Sequence, residues 1–436
     1  MYRPNRIAKT LWTIVAVCLL GLAACGPDIE TDASLTGTPA AAAPTSTPLQ
    51  LTLSSTPGRD DPGVYDDRIV FGQSAAFTGP AGQLGTGMNH GIQAAFDEVN
   101  RAGGVNGRRL ELVTRDDTYE PEFAIINTTK LIEEENVFAL IGAVGTPTSR
   151  SAVPVAEASG VPYIAPFTGA AFLRDPNLRS VINLRSSYNQ ETEEMVERLT
   201  TDLGIDRIAV MYQDDSFGRA GFNGASAALG RRDLEPVAVG LYPRNTTAVK
   251  TGLLDIRKGR PEAIIVIGAY KPVAAVIAWA REIGMNPVFM TVSFVGSNAL
   301  AEELAEELGA GGQGVIVTQV VPFPIDTSHP IVAAYQEALA KYDPEVEPGF
   351  VSLEGYMAGR LAIAGLERCG NDVTRACFLS TLRNAQPIDI NGAQLRYSQE
   401  EGNQWSDEVF LTMIGEEGQY IPLDVLPKDV LGSEDK

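Results

Sequence analysis

From residue 68 onward, short apolar runs alternate with longer stretches in which apolar residues recur every third or fourth position. The runs at 68–74 (RIVFGQS), 109–114, 137–141 and 161–165 predict strands, and the stretches at about 87–102, 120–134 and after Pro147 predict helices between them. The pattern then restarts. Strands are expected at 207–212 (RIAVMY), 237–242, 263–268 (AIIVIG), 288–292 and 314–318, with helices from near Gly218, at 248–259 and at 272–283. Strand–helix alternation implies parallel sheets covered on both faces, an α/β fold. Two such series in about 370 residues exceed one ordinary domain, so two lobes are expected. Ligands of open parallel sheets bind beyond the carboxyl ends of the strands. Two lobes facing one another would put those ends around one cleft.

The first part of the chain reads differently. Arg3, Arg6 and Lys9 precede an apolar stretch, 11–22 (LWTIVAVCLLGL), too short for a membrane span but suited to a secretory signal. It runs into Leu22-Ala23-Ala24-Cys25-Gly26, which resembles a bacterial lipobox; Cys25 would then be lipidated and become the first mature residue. The alternative is an ordinary signal peptide whose small-residue cleavage site precedes a cysteine. Residues 26–66, rich in Thr, Pro, Ala and Ser, have no hydrophobic periodicity and are expected to form a disordered tether. No later stretch offers about 18 uninterrupted apolar residues, so no transmembrane helix is expected.

Composition narrows the chemistry. Besides Cys18 and Cys25 only Cys369 and Cys377 remain, and in an exported chain they are expected to form a disulfide. A metal pair is the alternative, but His90 and His329 both lie far from them in sequence, and two thiols do not complete a zinc site. The formal net charge of −21 disfavours nucleic-acid partners and otherwise reads as solubility. Asp116–Asp117 and Asp214–Asp215 invite an acid/base or metal reading, yet each pair sits at a strand end where acids commonly brace the next helix or loop. No Gly-x-Ser-x-Gly elbow or Walker loop occurs, and Gly-rich stretches such as Gly85-Thr86-Gly87 do not match the dinucleotide fingerprint. Neither catalysis nor a cofactor or metal is expected.

Seven ordered segments carry a family resemblance: 77–82 (FTGPAG), 102–107 (AGGVNG), 116–121 (DDTYEP), 141–147 (IGAVGTP), 165–169 (APFTG), 212–218 (YQDDSFG) and 268–272 (GAYKP). Together they resemble the type I periplasmic solute-binding proteins, in the leucine/isoleucine/valine-binding group of ABC importers, over about 68–423. The resemblance implies two Rossmann-like lobes joined by three crossovers, near 185–186, 320–322 and 389–391. It also implies hinge closure on a small solute, a monomer, and ABC permease subunits as partners. Lobe 1 would comprise 67–186 and 322–388, lobe 2 187–321 and 389–427, with 1–24 the signal, 25–66 the tether and 428–436 a tail. A sensory receptor reporting the same ligand is the alternative. A transcription regulator of related fold is disfavoured, because a signal and tether stand where a helix-turn-helix would be.

Thr146, after Gly145 and before Pro147, reads as a helix N-cap whose free N–H groups suit an anion. The resemblance places a ligand carboxylate there. Thr168 and Gly169 end the next strand and should reach the same cleft, as should Tyr119. Gln83 and Leu84 are expected to touch ligand from the first loop, with Phe217 and Tyr270 as aromatic walls of the second lobe. In amino-acid-binding members a Glu holds the ligand ammonium; here the register puts Ser293 in that place. The ligand is therefore expected to be a small organic acid or similar polar-headed solute, unless Asp117, Asp214 or Asp215 supplies the charge.

Overall fold

The computed structural model describes residues 61–431 apart from 385 and 399–402. The signal, Cys25 and nearly all of the tether lie outside the described residues. In order, the elements are β1 (Arg68–Ala75), α1 (Gly82–Arg101), β2 (Arg109–Asp116), α2 (Pro121–Glu133), β3 (Ala139–Ile141), α3 (Thr146–Ala158), β4 (Tyr163–Ile164) and β5 (Val181–Ile182). The second series is α4 (Tyr188–Thr201), β6 (Ile208–Gln213), α5 (Ser216–Gly230), β7 (Val239–Tyr242), α6 (Lys250–Lys258), β8 (Ala263–Ile267), α7 (Tyr270–Glu282), β9 (Val288–Thr291), α8 (Ser297–Leu308) and β10 (Ile316–Gln319). Then come α9 (Pro330–Tyr342), α10 (Phe350–Cys369), α11 (Arg375–Arg383), β11 (Ile388–Ile390), β12 (Ala393–Leu395), β13 (Phe410–Ile414) and β14 (Tyr420–Leu423).

Each series builds its own sheet. The first is parallel, in the order β2-β1-β3-β4-β5. The second runs β14-β13-β10-β9-β8-β6-β7, parallel except where β13 pairs antiparallel with β10 and with β14. Its interior strand β8 (AIIVI) is wholly buried, as a β-branched strand covered on both faces must be. Helices α9 and α10 return to pack on α1 of the first lobe.

Several expected boundaries move. The helix expected from 87 starts at Gly82, so Gln83 and Leu84 lie in its first turn, not in a loop. The folded region begins before 67: Val64 is buried and bridges to Ile69, and the Val70 N–H donates to the Gly63 carbonyl. The third passage between lobes comes later than 389–391. The hairpin β11–β12 packs on α10, and Asn391 donates to Tyr356 of that helix at 2.6 Å, so the chain reaches the second sheet only at Phe410. The expected tail begins with a 3-10 turn, Lys428–Leu431. Cys369 and Cys377 form a disulfide joining the end of α10 to α11.

Candidate functional site

The segments that follow β1, β2, β3 and β4 in one lobe, and β6, β8 and β9 in the other, carry the predicted site residues. After β3 the chain turns at Gly145, whose φ of 104° is costly for a residue with a Cβ. A Cβ there would also lie 2.3 Å from the Tyr119 ring. Gly145, not Thr146, is the N-cap of α3; Thr146 is its first helical residue and its hydroxyl makes no capping bond. That hydroxyl instead lies 2.7 Å from the hydroxyl of Thr168, and both side chains are fully buried. Gly169 abuts Tyr188, whose buried hydroxyl faces Thr168 but has no hydrogen bond of good geometry. Three hydroxyls thus gather at the N-terminus of α3, where free N–H groups and the helix dipole favour negative charge.

An aromatic wall faces them. Phe294, in the 3-10 turn Ser293–Val295 after β9, is fully buried, with its ring 4.5 Å from Phe217, 5.4 Å from Phe167 and 6.0 Å from Tyr119. It is a second-lobe side chain set between aromatics of both lobes. Phe217 also packs on Tyr188, at 5.4 Å. At the mouth, Leu84 lies against Gly296, and the Gln83 N–H donates to the Tyr270 hydroxyl at 3.4 Å. Phe217 and Tyr270 belong to the first turns of α5 and α7. Grooves of about 310 and 410 Å³ flank this contact and are lined by both lobes, with Glu302 in each.

Ser293 faces charge. Its hydroxyl bonds to the Arg185 guanidinium, and its N–H donates to Glu191 at 2.8 Å. Arg185, buried at the first crossover, lies 3.4 Å from Glu191, 3.6 Å from Glu354, and over the Phe167 ring at 4.8 Å. Glu191 also accepts from the Thr318 hydroxyl at 2.7 Å. Burial opposes the charge of Arg185, but Glu354 and Glu191 outweigh it and hold the guanidinium above its ordinary range. Glu354 has less support: burial pushes its carboxyl up to about 7, against the pull of Arg185.

The aspartates already have partners. Asp117 is buried, takes hydrogen bonds from the Ser74 hydroxyl at 2.8 Å and the Tyr119 N–H at 3.0 Å, and is pushed by burial up to about 7. Asp215 caps α5 through the N–H groups of Phe217 and Gly218 and takes a third bond from Gln213. Asp214 is exposed and pairs with Arg219 at 3.1 Å. Of the ten predicted site residues, Gln83, Leu84 and Tyr270 line the two grooves, Tyr119, Gly145, Thr146, Thr168, Gly169 and Phe217 gather in the buried hydroxyl and aromatic cluster, and Ser293 turns to Arg185 and Glu191. Sequence reasoning missed Phe294 by one position, and gave no role to Tyr188, Glu191 or Glu354. Phe294 had one signal, its place in an apolar run ending at a strand terminus.

The family model for periplasmic binding proteins matches residues 68–419. A Leu/Ile/Val-binding protein homolog 7 of Brucella abortus is 26% identical over 313 residues, 69% of this chain and 77% of its own length. Among solved structures, a possible leucine/isoleucine/valine-binding protein from Rhodopirellula baltica is 37% identical with a TM-score of 0.78, covering 83% of this chain and 98% of that one. A substrate-binding periplasmic protein from Ralstonia solanacearum is 26% identical with a TM-score of 0.75, covering 81% and 99%. With its two parallel-sheet lobes and a matched segment spanning nearly all of them, this chain belongs to the periplasmic binding protein family, in its type I, Leu/Ile/Val-binding class.

Proposed function

We propose that this protein captures a small carboxylate-bearing solute between its lobes, closes on it by a hinge motion, and presents it to ABC permease subunits while anchored through lipid on Cys25. Members of the family are extracytoplasmic solute receptors that work with such permeases. The observation that carries the ligand class is the hydroxyl group of Thr146, Thr168 and Tyr188 at the start of α3. Hydroxyls and helix N–H groups together donate to a carboxylate without requiring a counter-charge. Leu84, Phe167, Phe217 and Phe294 supply an apolar wall for the solute's body.

The relatives' names include Leu/Ile/Val-binding proteins, and a branched-chain body would suit that wall. An α-ammonium would suit the site less. Glu191 is engaged by three protein groups, Asp215 caps a helix, and Ser293 brings no charge. Burying an ammonium without a free carboxylate is costly. The expected ligand is a small organic acid, such as a branched-chain 2-oxo acid, in preference to the amino acid. Calorimetry with 4-methyl-2-oxopentanoate and aromatic acids, beside leucine, isoleucine and valine, tests this. Micromolar binding of an amino acid with no comparable acid ligand would overturn it. Anchoring is tested separately: Cys25→Ser should release the protein from membranes.

A further inference from the structure

The lobes also meet at the edge of the cleft, beside Tyr119. The turn joining β2 to α2 is strained: Thr118 has a φ of 51° and Tyr119 of 64°, left-handed conformations that cost side-chain-bearing residues free energy. The first lobe holds part of this turn. Asp116 accepts from the Thr118 N–H at 2.9 Å, and Asp117 from the Tyr119 N–H at 3.0 Å. The second lobe holds the rest, through the loop after β7. Asn245 Nδ2 donates to the Thr118 carbonyl at 3.2 Å and to Glu120 Oε1 at 2.7 Å, and Arg244 Nη2 pairs with Glu120 Oε2 at 2.5 Å. Arg244 also lies 3.8 Å from Asp215, the cap of the helix that carries Phe217.

A surface ion pair by itself contributes little. Here the donors come from one lobe, the acceptors from the other, and they converge on both sides of a single residue. Tyr119 sits between Thr118 and Glu120, its ring buried against Phe294 and its hydroxyl near Asp215 and Gln213 with no hydrogen bond of good geometry.

We propose that Arg244 and Asn245 are positioning residues that clamp the strained 117–120 turn across the lobes and thereby fix Tyr119 in the cleft wall. The second lobe then completes a recognition surface of the first, and separating the lobes releases Tyr119. The proposal rests on the reading of this cleft as the solute site, but the clamp is made only of protein groups, so it is tested without solute.

The full chain is labelled with 3-fluorotyrosine and its ligand-free 19F spectrum recorded, the Tyr119 signal being assigned as the one lost in Tyr119→Phe. Asn245→Ala and Arg244→Gln are each expected to shift or broaden the Tyr119 signal while the other tyrosine signals stay in place. Arg244→Lys, which keeps the charge, is expected to restore it in part. An unmoved Tyr119 signal in both Asn245→Ala and Arg244→Gln overturns the proposal. If either variant displaces every tyrosine signal, the near-isosteric Glu120→Gln decides by the same criterion. Failure of the cleft to bind any acid would leave this result unaffected.

Discussion

Two buried polar clusters meet at the base of the cleft, the hydroxyls of Thr146, Thr168 and Tyr188 and the charges of Arg185, Glu191 and Glu354, and they are satisfied in different ways. The charges are paired with one another, although Arg185 Nε and Nη1 make no hydrogen bond and Glu354 is held by its ion pair with Arg185. Glu191 takes donors from Arg185, the Ser293 N–H and Thr318, contacts that tie the first crossover to the ends of β9 and β10. The hydroxyls retain capacity, since Tyr188 makes no hydrogen bond of good geometry. A buried ion that is incompletely paired is far more costly than an under-used hydroxyl. The crossover charges therefore depend on one another, whereas the hydroxyls are neutral groups that can accept a partner later.

Breaking the charged cluster should have the largest effect. Arg185→Met leaves two buried carboxylates without their cation, and should lower unfolding stability by about 3–5 kcal/mol in urea titrations at neutral pH. A loss under 1 kcal/mol, on the order of a surface pair, would show that the two carboxylates do not depend on Arg185.

Next comes Glu354. Burial raises its carboxyl from the ordinary 4.5 to about 7, so the folded state binds its proton more tightly than the unfolded state does. That contribution is fully present below about 4.5 and is lost as pH rises through about 7. Its size is on the order of 3 kcal/mol. Asp117, also raised to about 7, adds to the same window. Urea unfolding across that window should show stability falling with pH, and Glu354→Gln should flatten the slope in part. An unchanged slope would remove Glu354 from the account.

On the hydroxyl side, Thr146→Ala should weaken binding of the acid ligand roughly ten- to hundredfold, equivalent to about 1.5–3 kcal/mol, with little change in melting temperature. Loss of stability without loss of affinity would move Thr146 into the structural group. The smallest effect belongs to Asp214→Asn. Its exposed pair with Arg219 should contribute under about 0.5 kcal/mol, and its removal should leave affinity unchanged. A large loss of affinity would identify Asp214 as a ligand contact and reopen the case for an ammonium.

The strands were legible because buried β-branched runs such as AIIVI have few other uses. The start of α1 was not. Gly82, Gly85 and Gly87 make that segment look like a loop by propensity. A Cβ on Gly85 would come 1.9 Å from the Ala76 carbonyl, so close packing demands the glycine and overrides propensity. The hairpin at 388–395 was assigned to the wrong lobe for a related reason: its strands pair only with each other, and only its packing on α10 shows where it belongs.

The sequence by itself determined the two alternating series, the cysteine pair, and a Gly-Thr-Pro turn that starts a helix at a strand end, because each of these depends on residues close together in the chain or on composition. Tertiary structure decided that Phe294 lies among aromatics of both lobes, that Arg185 meets Glu354, and that Asn245 braces Thr118. These contacts join residues more than a hundred positions apart in most cases. Their energies come from burial and charge pairing, which depend on what surrounds a group in space and leave no periodic trace along the chain.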